Sequence, residues 1–153
     1  SDIDMEMLNV AEKNLSLLHE EGINKRIAEI EQMIASFQKQ SHIEARKSAI
    51  KLKSMIRSSI EFKLFHADAL KEINLGEKPD IIITDLPYGN LVDWNSDEEN
   101  VIDKLLDSLH GICSSDTIIG ICMDKKTKVR NEKFIRLERQ KIGKRKFEIL
   151  RKR

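Results

Sequence analysis

Apolar residues recur at intervals of three and four near the start of the chain. Met5, Leu8, Ala11, Leu15 and Leu18 form one stripe, which predicts a helix from Met5 to His19. Asp4 is placed to cap it and Gly22 to end it. A second helical pattern runs from about Asn24 to Phe37. A third runs from Ser41 to about Ser58, with Ile43, Ile50, Leu52, Met55 and Ile56 as its expected apolar contacts. Phe62–Phe65 alternates enough to read as a short strand. Pro79 then introduces Asp80–Thr84, a continuous apolar run of the kind buried inside a parallel sheet. Asp97–His110 reads as a helix with Val101, Ile102, Leu105, Leu106 and Leu109 facing inward, and Thr117–Met123 as the next buried strand. Phe134–Arg153 reads as two strands around the turn Ile142-Gly143-Lys144, an antiparallel hairpin.

Helices alternating with buried strands, closed by a hairpin, predict an α/β layered fold. At 153 residues a single domain over 1–153 is expected, large enough for a proper core. The helices of residues 20–60 break the alternation and read as a helical insertion. There is no internal repeat and no low-complexity segment.

Charge changes the picture more than composition does. The net charge is only +1, yet residues 125–153 hold 14 Lys and Arg against 3 Glu, a local charge of +11, and residues 1–124 carry −10. The hairpin at 134–153 is therefore strongly basic, and the third helix adds Arg46, Lys47, Lys51, Lys53 and Arg57. Concentrated bases suit phosphates, although a solvated Lys-rich surface has the same composition. Cys113 and Cys122 lack CxxC spacing and lie in or near apolar segments, as reduced residues of a cytoplasmic protein would. The four histidines are scattered, so no metal site is expected. No apolar run reaches the length of a membrane span, and no segment resembles a signal peptide.

The candidate chemistry lies at strand ends. Asp2, Asp68 and Asp85 each fall at the carboxyl end of a candidate strand, the edge where open α/β sheets bind ligands. An acid in the first position can accept both hydroxyls of a ribose. One in the second can accept from an adenine amino group, with the Ala69 N–H meeting a ring nitrogen. One in the third reaches a reacting substrate. Each also has an ordinary reading: Asp2 and Asp4 as helix-capping residues, Asp68 as a cap, Asp85 as a strand terminator. Their joint placement favours the site.

These residues carry a family resemblance. SDIDMEMLNVAEKNL resembles the second conserved segment of S-adenosylmethionine-dependent methyltransferases, and TDLPYG resembles their Asn/Asp-Pro-Pro-Tyr loop. With Trp94 shortly after that loop and RLERQKIGKRKFEILR near the end, the whole chain resembles the avilamycin-resistance type of 23S rRNA guanine-N2 methyltransferase. The resemblance implies a Rossmann-like class I methyltransferase fold with S-adenosylmethionine as cofactor and 23S rRNA as partner. It places Asp2, with Asp4 beside it, at the ribose, and Asp68 and Ala69 at the adenine. Asp85 and the Leu86 carbonyl would accept from the target amine, Pro87 would shape the loop, and Tyr88 and Trp94 would stack on the base. Arg46, Lys51, Lys141, Lys144 and Arg145 would hold RNA phosphates. An aromatic amine is a poor nucleophile, so two acceptors and a stacking ring would act mainly by positioning, with the base drawn out of its stack.

Two departures stand out. Leu86 replaces the first proline of the commoner Asp-Pro-Pro-Tyr form, a feature the avilamycin-resistance type shares. No glycine-rich GxGxG turn precedes Asp2. The fold is therefore expected to be N-terminally incomplete, with weak cofactor binding and with exposed sheet edges that favour self-association. The alternatives are a catalytically incompetent fragment that keeps a basic RNA-binding surface, and a methyltransferase acting on a DNA base or a protein glutamine.

Overall fold

The computed structural model describes residues 1–58, 60–86 and 101–153. It divides into two compact units, Ser1–His66 and Ala67–Arg153.

The first unit is helical. Helix α1 spans Met5–Leu15, and a 3-10 turn covers Ser16–Leu18. Helix α2 spans Glu20–Phe37, and α3 spans Gln40–Met55. Asp4 caps α1 as expected: its carboxylate accepts from the Glu6 N–H at 2.7 Å and the Met7 N–H at 3.4 Å. Helices α2 and α3 form a hairpin around Ile23, Ile30 and Ala49, with Leu17, Ile27, Ile34, Ala45, Leu52 and Ile56 packed against them. The turn between them is made by Gln38, held in the left-handed region at φ +50°. Of the five apolar contacts expected on α3, only Leu52 and Ile56 join this core. Ile43, Ile50 and Met55 are exposed because the small Ala45 and Ala49 face α2 instead.

Gly22 does not end α1. That helix closes at Leu15, and Gly22 lies in the first turn of α2. A Cβ at Gly22 would overlap the backbone carbonyl of Ser16, so the glycine permits close passage of the 3-10 turn over α2. Gly22→Ala is expected to destabilise the chain by about 1–3 kcal/mol, because displaced backbone outweighs the better helix propensity of alanine. Urea unfolding of both forms measures this. The strand expected at Phe62–Phe65 is also absent: those residues have no ladder partner, and a single parallel bridge joins Asp2 to His66.

The second unit is a four-stranded mixed sheet with one described helix. Strand β1 is Ile81–Asp85, α4 is Val101–Ile112, and β2 is Ile118–Asp124. Strands β3 and β4 are Phe134–Ile142 and Arg145–Lys152. The sheet order is β1-β2-β4-β3, with β1 parallel to β2 and the other pairs antiparallel. The hairpin turn is Gly143-Lys144, with positive φ at the glycine only, the pattern of a two-residue II′ turn.

Leu105, Leu106, Leu109 and Ile112 of α4 share one core with Ile119, Ile121, Met123, Phe134 and Leu150. Strand β1 departs from the expected fully buried run. Ile82 packs against this core, but Ile81 and Ile83 are 64% and 84% exposed. Within this unit the described helix lies on one face only, so alternate residues of β1 point away from it.

Candidate active site

Asp85 is the last residue of β1. Parallel pairing sets it beside Cys122 of β2, and the Leu86 N–H donates to the Cys122 carbonyl at 2.9 Å. That bond extends the ladder one residue past the strand and gives the Asp-Leu-Pro-Tyr spelling a physical reason. A proline in place of Leu86 has no N–H to donate. The Leu86 side chain is also buried, at 3% exposure, in the core under α4. Leu86→Pro removes the hydrogen bond and part of this packing, and is expected to lower the unfolding free energy by about 2–4 kcal/mol. A denaturant titration beside the wild type checks it.

The Asp85 carboxylate is about half exposed and faces two groups from neighbouring strands. Arg145, the first residue of β4, places Nη1 3.5 Å from Oδ2. Cys122 stands opposite Asp85 in the parallel register of β1 and β2. Its pKa is pushed up to about 11, chiefly by burial and then by the hydrogen bond and charge of Asp85. Burial likewise raises the Cys113 thiol. Both cysteines are free thiols.

Asp68 and Ala69 occupy a turn in the same unit. Asp68 Oδ1 accepts from the Leu70 N–H at 3.0 Å, Oδ2 lies 3.3 Å from Lys71 Nζ, and Ala69 is exposed. Asp2 and Asp4 lie in the other unit. Asp2 Oδ1 accepts from the Asp4 N–H at 2.9 Å, and Asp4 is committed to its helix cap. A carboxylate offers about four lone-pair positions, so Asp2, which accepts from the Asp4 N–H, keeps the capacity to accept from the hydroxyls of a ribose. Pro87, Tyr88 and Trp94 lie outside the described residues.

The expected phosphate contacts are distributed unevenly. Lys141 and Lys144 are exposed on the hairpin, and the Lys144 carbonyl accepts from the Lys125 N–H at 3.0 Å. Arg145 is turned to Asp85. In the helical unit, Lys51 is exposed, whereas Arg46 pairs with Glu31 at 2.8 Å across the α2–α3 hairpin. A hollow of about 280 Å³ is lined by residues 72–78 with Gly111 and Ile112. It lies at the amino ends of β1 and β2, opposite to Asp85. Among the described residues no cluster of His, Cys, Asp and Glu could hold a metal ion, and no helix is long and apolar enough to cross a membrane.

Sequence reasoning missed Cys122, read there only as a reduced residue in an apolar segment. Its signal was positional: a strand neighbouring the one that ends in Asp85 must place some residue beside that carboxylate. It also missed the pair Lys146 and Glu148, counted with the basic hairpin but 4% and 1% exposed.

A 23S rRNA (guanine(2535)-N(1))-methyltransferase of Streptomyces viridochromogenes is 30% identical over 99% of this chain and 64% of its own length. Two solved structures of rRNA methyltransferase AviRa from the same organism, at 2.4 Å and 1.5 Å, superpose with a TM-score of 0.82. They are 28% and 29% identical, and each match covers 97% of this chain and 63% of the solved one. The chain thus spans a little under two thirds of the length of these relatives. The family model described as rRNA methyltransferase AviRa matches residues 1–145, and the chain belongs to that family.

Proposed function

We propose that the gene product transfers a methyl group from S-adenosylmethionine to a nitrogen on the Watson–Crick edge of a guanine in 23S rRNA, in the cytoplasm. The observation that carries this reading is the half-exposed Asp85 carboxylate at the carboxyl end of β1, directly before Leu86. Membership of the family supports the rRNA substrate. When bound, S-adenosylmethionine supplies an electrophilic methyl group on a positively charged sulfur.

Everything else falls to the chain's own residues. Asp85 and the Leu86 carbonyl accept hydrogen bonds from the target nitrogen and hold its lone pair towards the methyl group. The carboxylate also stabilises the positive charge that grows on nitrogen as the N–C bond forms. Tyr88 and Trp94 stack on the flipped base, by their place in the motif. Asp2 holds the ribose, with Asp4 fixing the turn, while Asp68 and the Ala69 N–H read the adenine. Lys141, Lys144 and Lys51 meet RNA phosphates.

The Asp-Leu-Pro-Tyr motif supports the exocyclic N2, whereas the Streptomyces relative is named for N1. The two nitrogens are neighbours on one edge but make different demands. N2 carries two hydrogens and sheds one after attack; N1 carries one, which must leave to expose the lone pair. An acceptor pair that orients without abstracting suits N2. Purified gene product, S-adenosylmethionine and a 23S rRNA transcript test the reading, with the methylated nucleoside identified by chromatography and mass spectrometry. N2-methylguanosine is expected. N1-methylguanosine would assign Asp85 as the acceptor of the N1 proton. Transfer to DNA or protein and not to RNA would overturn the proposal.

A further inference from the structure

Arg145 stands in the basic hairpin, where a phosphate contact is the obvious role, yet its guanidinium is directed at the acceptor carboxylate. The register explains how. Arg145 is opposite Asp124, two residues beyond Cys122 on β2, and Cys122 is opposite Asp85 on β1. All these positions alternate onto the same face of the sheet. Strands β1 and β4 flank β2 and lie about 10 Å apart, a distance an arginine side chain can bridge. At the end of β2 the guanidinium reaches Asp85 Oδ2 from one side. The buried Cys122 lies beside Asp85, paired with it across the two strands.

We propose that Arg145 and Cys122 are positioning residues for Asp85, fixing the plane of its carboxylate so that its remaining lone pairs face the incoming base. The inference rests on the methyl-transfer reading above. An isolated exposed carboxylate rotates freely about χ1 and χ2, and each unproductive rotamer removes an acceptor from the target nitrogen. Two anchors on neighbouring strands remove that freedom before substrate arrives. A half-exposed ion pair at 3.5 Å contributes little to stability, so its consequence is orientation, which small displacements penalise heavily in catalysis. The arrangement separates two roles within one turn of the hairpin: Lys141 and Lys144 face outward to RNA, and Arg145 faces the chemistry.

The test compares Arg145→Ala, Arg145→Lys and Cys122→Ala in the gene product, with kcat and KM for 23S rRNA measured separately. Arg145→Ala is expected to lower kcat about tenfold or more with KM within about twofold. Arg145→Lys should recover part of the loss, and Cys122→Ala should lower kcat less. A raised KM, a flatter salt dependence and an unchanged kcat would make Arg145 a phosphate contact and overturn the proposal.

A second measurement stands apart from activity and uses the 153-residue chain itself. Alkylation of Cys122 at pH 9, followed site by site by mass spectrometry, should quicken in Asp85→Asn, because the hydrogen bond and charge that Asp85 adds to burial in suppressing the thiolate are gone. An unchanged rate means that thiol and carboxylate do not meet, and the anchoring fails with it. A gene product that methylates no nucleic acid sinks the functional reading, while the alkylation rates still judge the geometry.

Discussion

Lys146→Ala should lower the unfolding free energy by about 3–5 kcal/mol, the range for leaving a buried charge without its partner. Lys146 and Glu148 alternate onto the side of β4 that also carries the buried Leu150, away from the exposed Phe147. Their side chains are 5% and 1% exposed, and Nζ lies 2.6 Å from Oε1. The second oxygen, Oε2, is buried without a hydrogen bond, and Arg136 Nη1 stands 3.6 Å from it. Truncating the lysine leaves the carboxylate facing only that arginine. Replacing both partners, Lys146→Met with Glu148→Leu, removes the orphaned charge and should recover most of the loss. Urea unfolding of Lys146→Ala and of the double variant beside the wild type measures both effects. A single-variant loss below about 1 kcal/mol would mean that water reaches the pair, contrary to its burial.

Asp85→Ala has its largest effect on activity. Removing a group that stabilises developing charge slows reactions by about 10²–10³-fold, and that loss is expected in kcat for methyl transfer. Stability should change little, since the side chain is half exposed and its ion pair with Arg145 is long. Asp85→Asn should be nearly as damaging: its amide turns a donor towards either Arg145 or the target nitrogen. Steady-state transfer rates, with melting curves to confirm the fold, measure both variants. A rate within threefold of wild type would remove Asp85 from the chemistry.

The sheet was legible because periodicity and turn chemistry agreed. The run at Thr117–Met123 was continuously apolar and the run at Phe134–Arg153 carried a Gly-containing turn, and each formed within a residue of its expected bounds. Helix α1 announced its start through Asp4, but its end was misplaced. Gly22 was read by its usual role as a helix stop, whereas here the residue yields to the Ser16 carbonyl across a tertiary contact. Composition cannot show that. Phe62–Phe65 failed for a related reason: a strand needs a neighbour, and alternation alone does not supply one.

The same limit governs the site. Asp85 and Leu86 could be placed because a strand end and a motif coincide on them. The anchoring by Cys122 and Arg145 depends on which strands are adjacent, and β4 lies between β2 and β3 although it is last in the chain. Lys146 and Glu148 were hidden by charge counting, which treats every base of a hairpin as solvated. Alternation assigns those two to the helix-covered face once the pairing of β4 is known.

The most direct measurement is the methylation state of 23S rRNA from cells with the intact gene, cells without it, and cells carrying Asp85→Asn. Reverse-transcription mapping together with nucleoside mass spectrometry reads all three. One additional methylguanosine in 23S rRNA is predicted with the intact gene, absent from the other two. An identical 23S rRNA methylation pattern in all three would contradict the account.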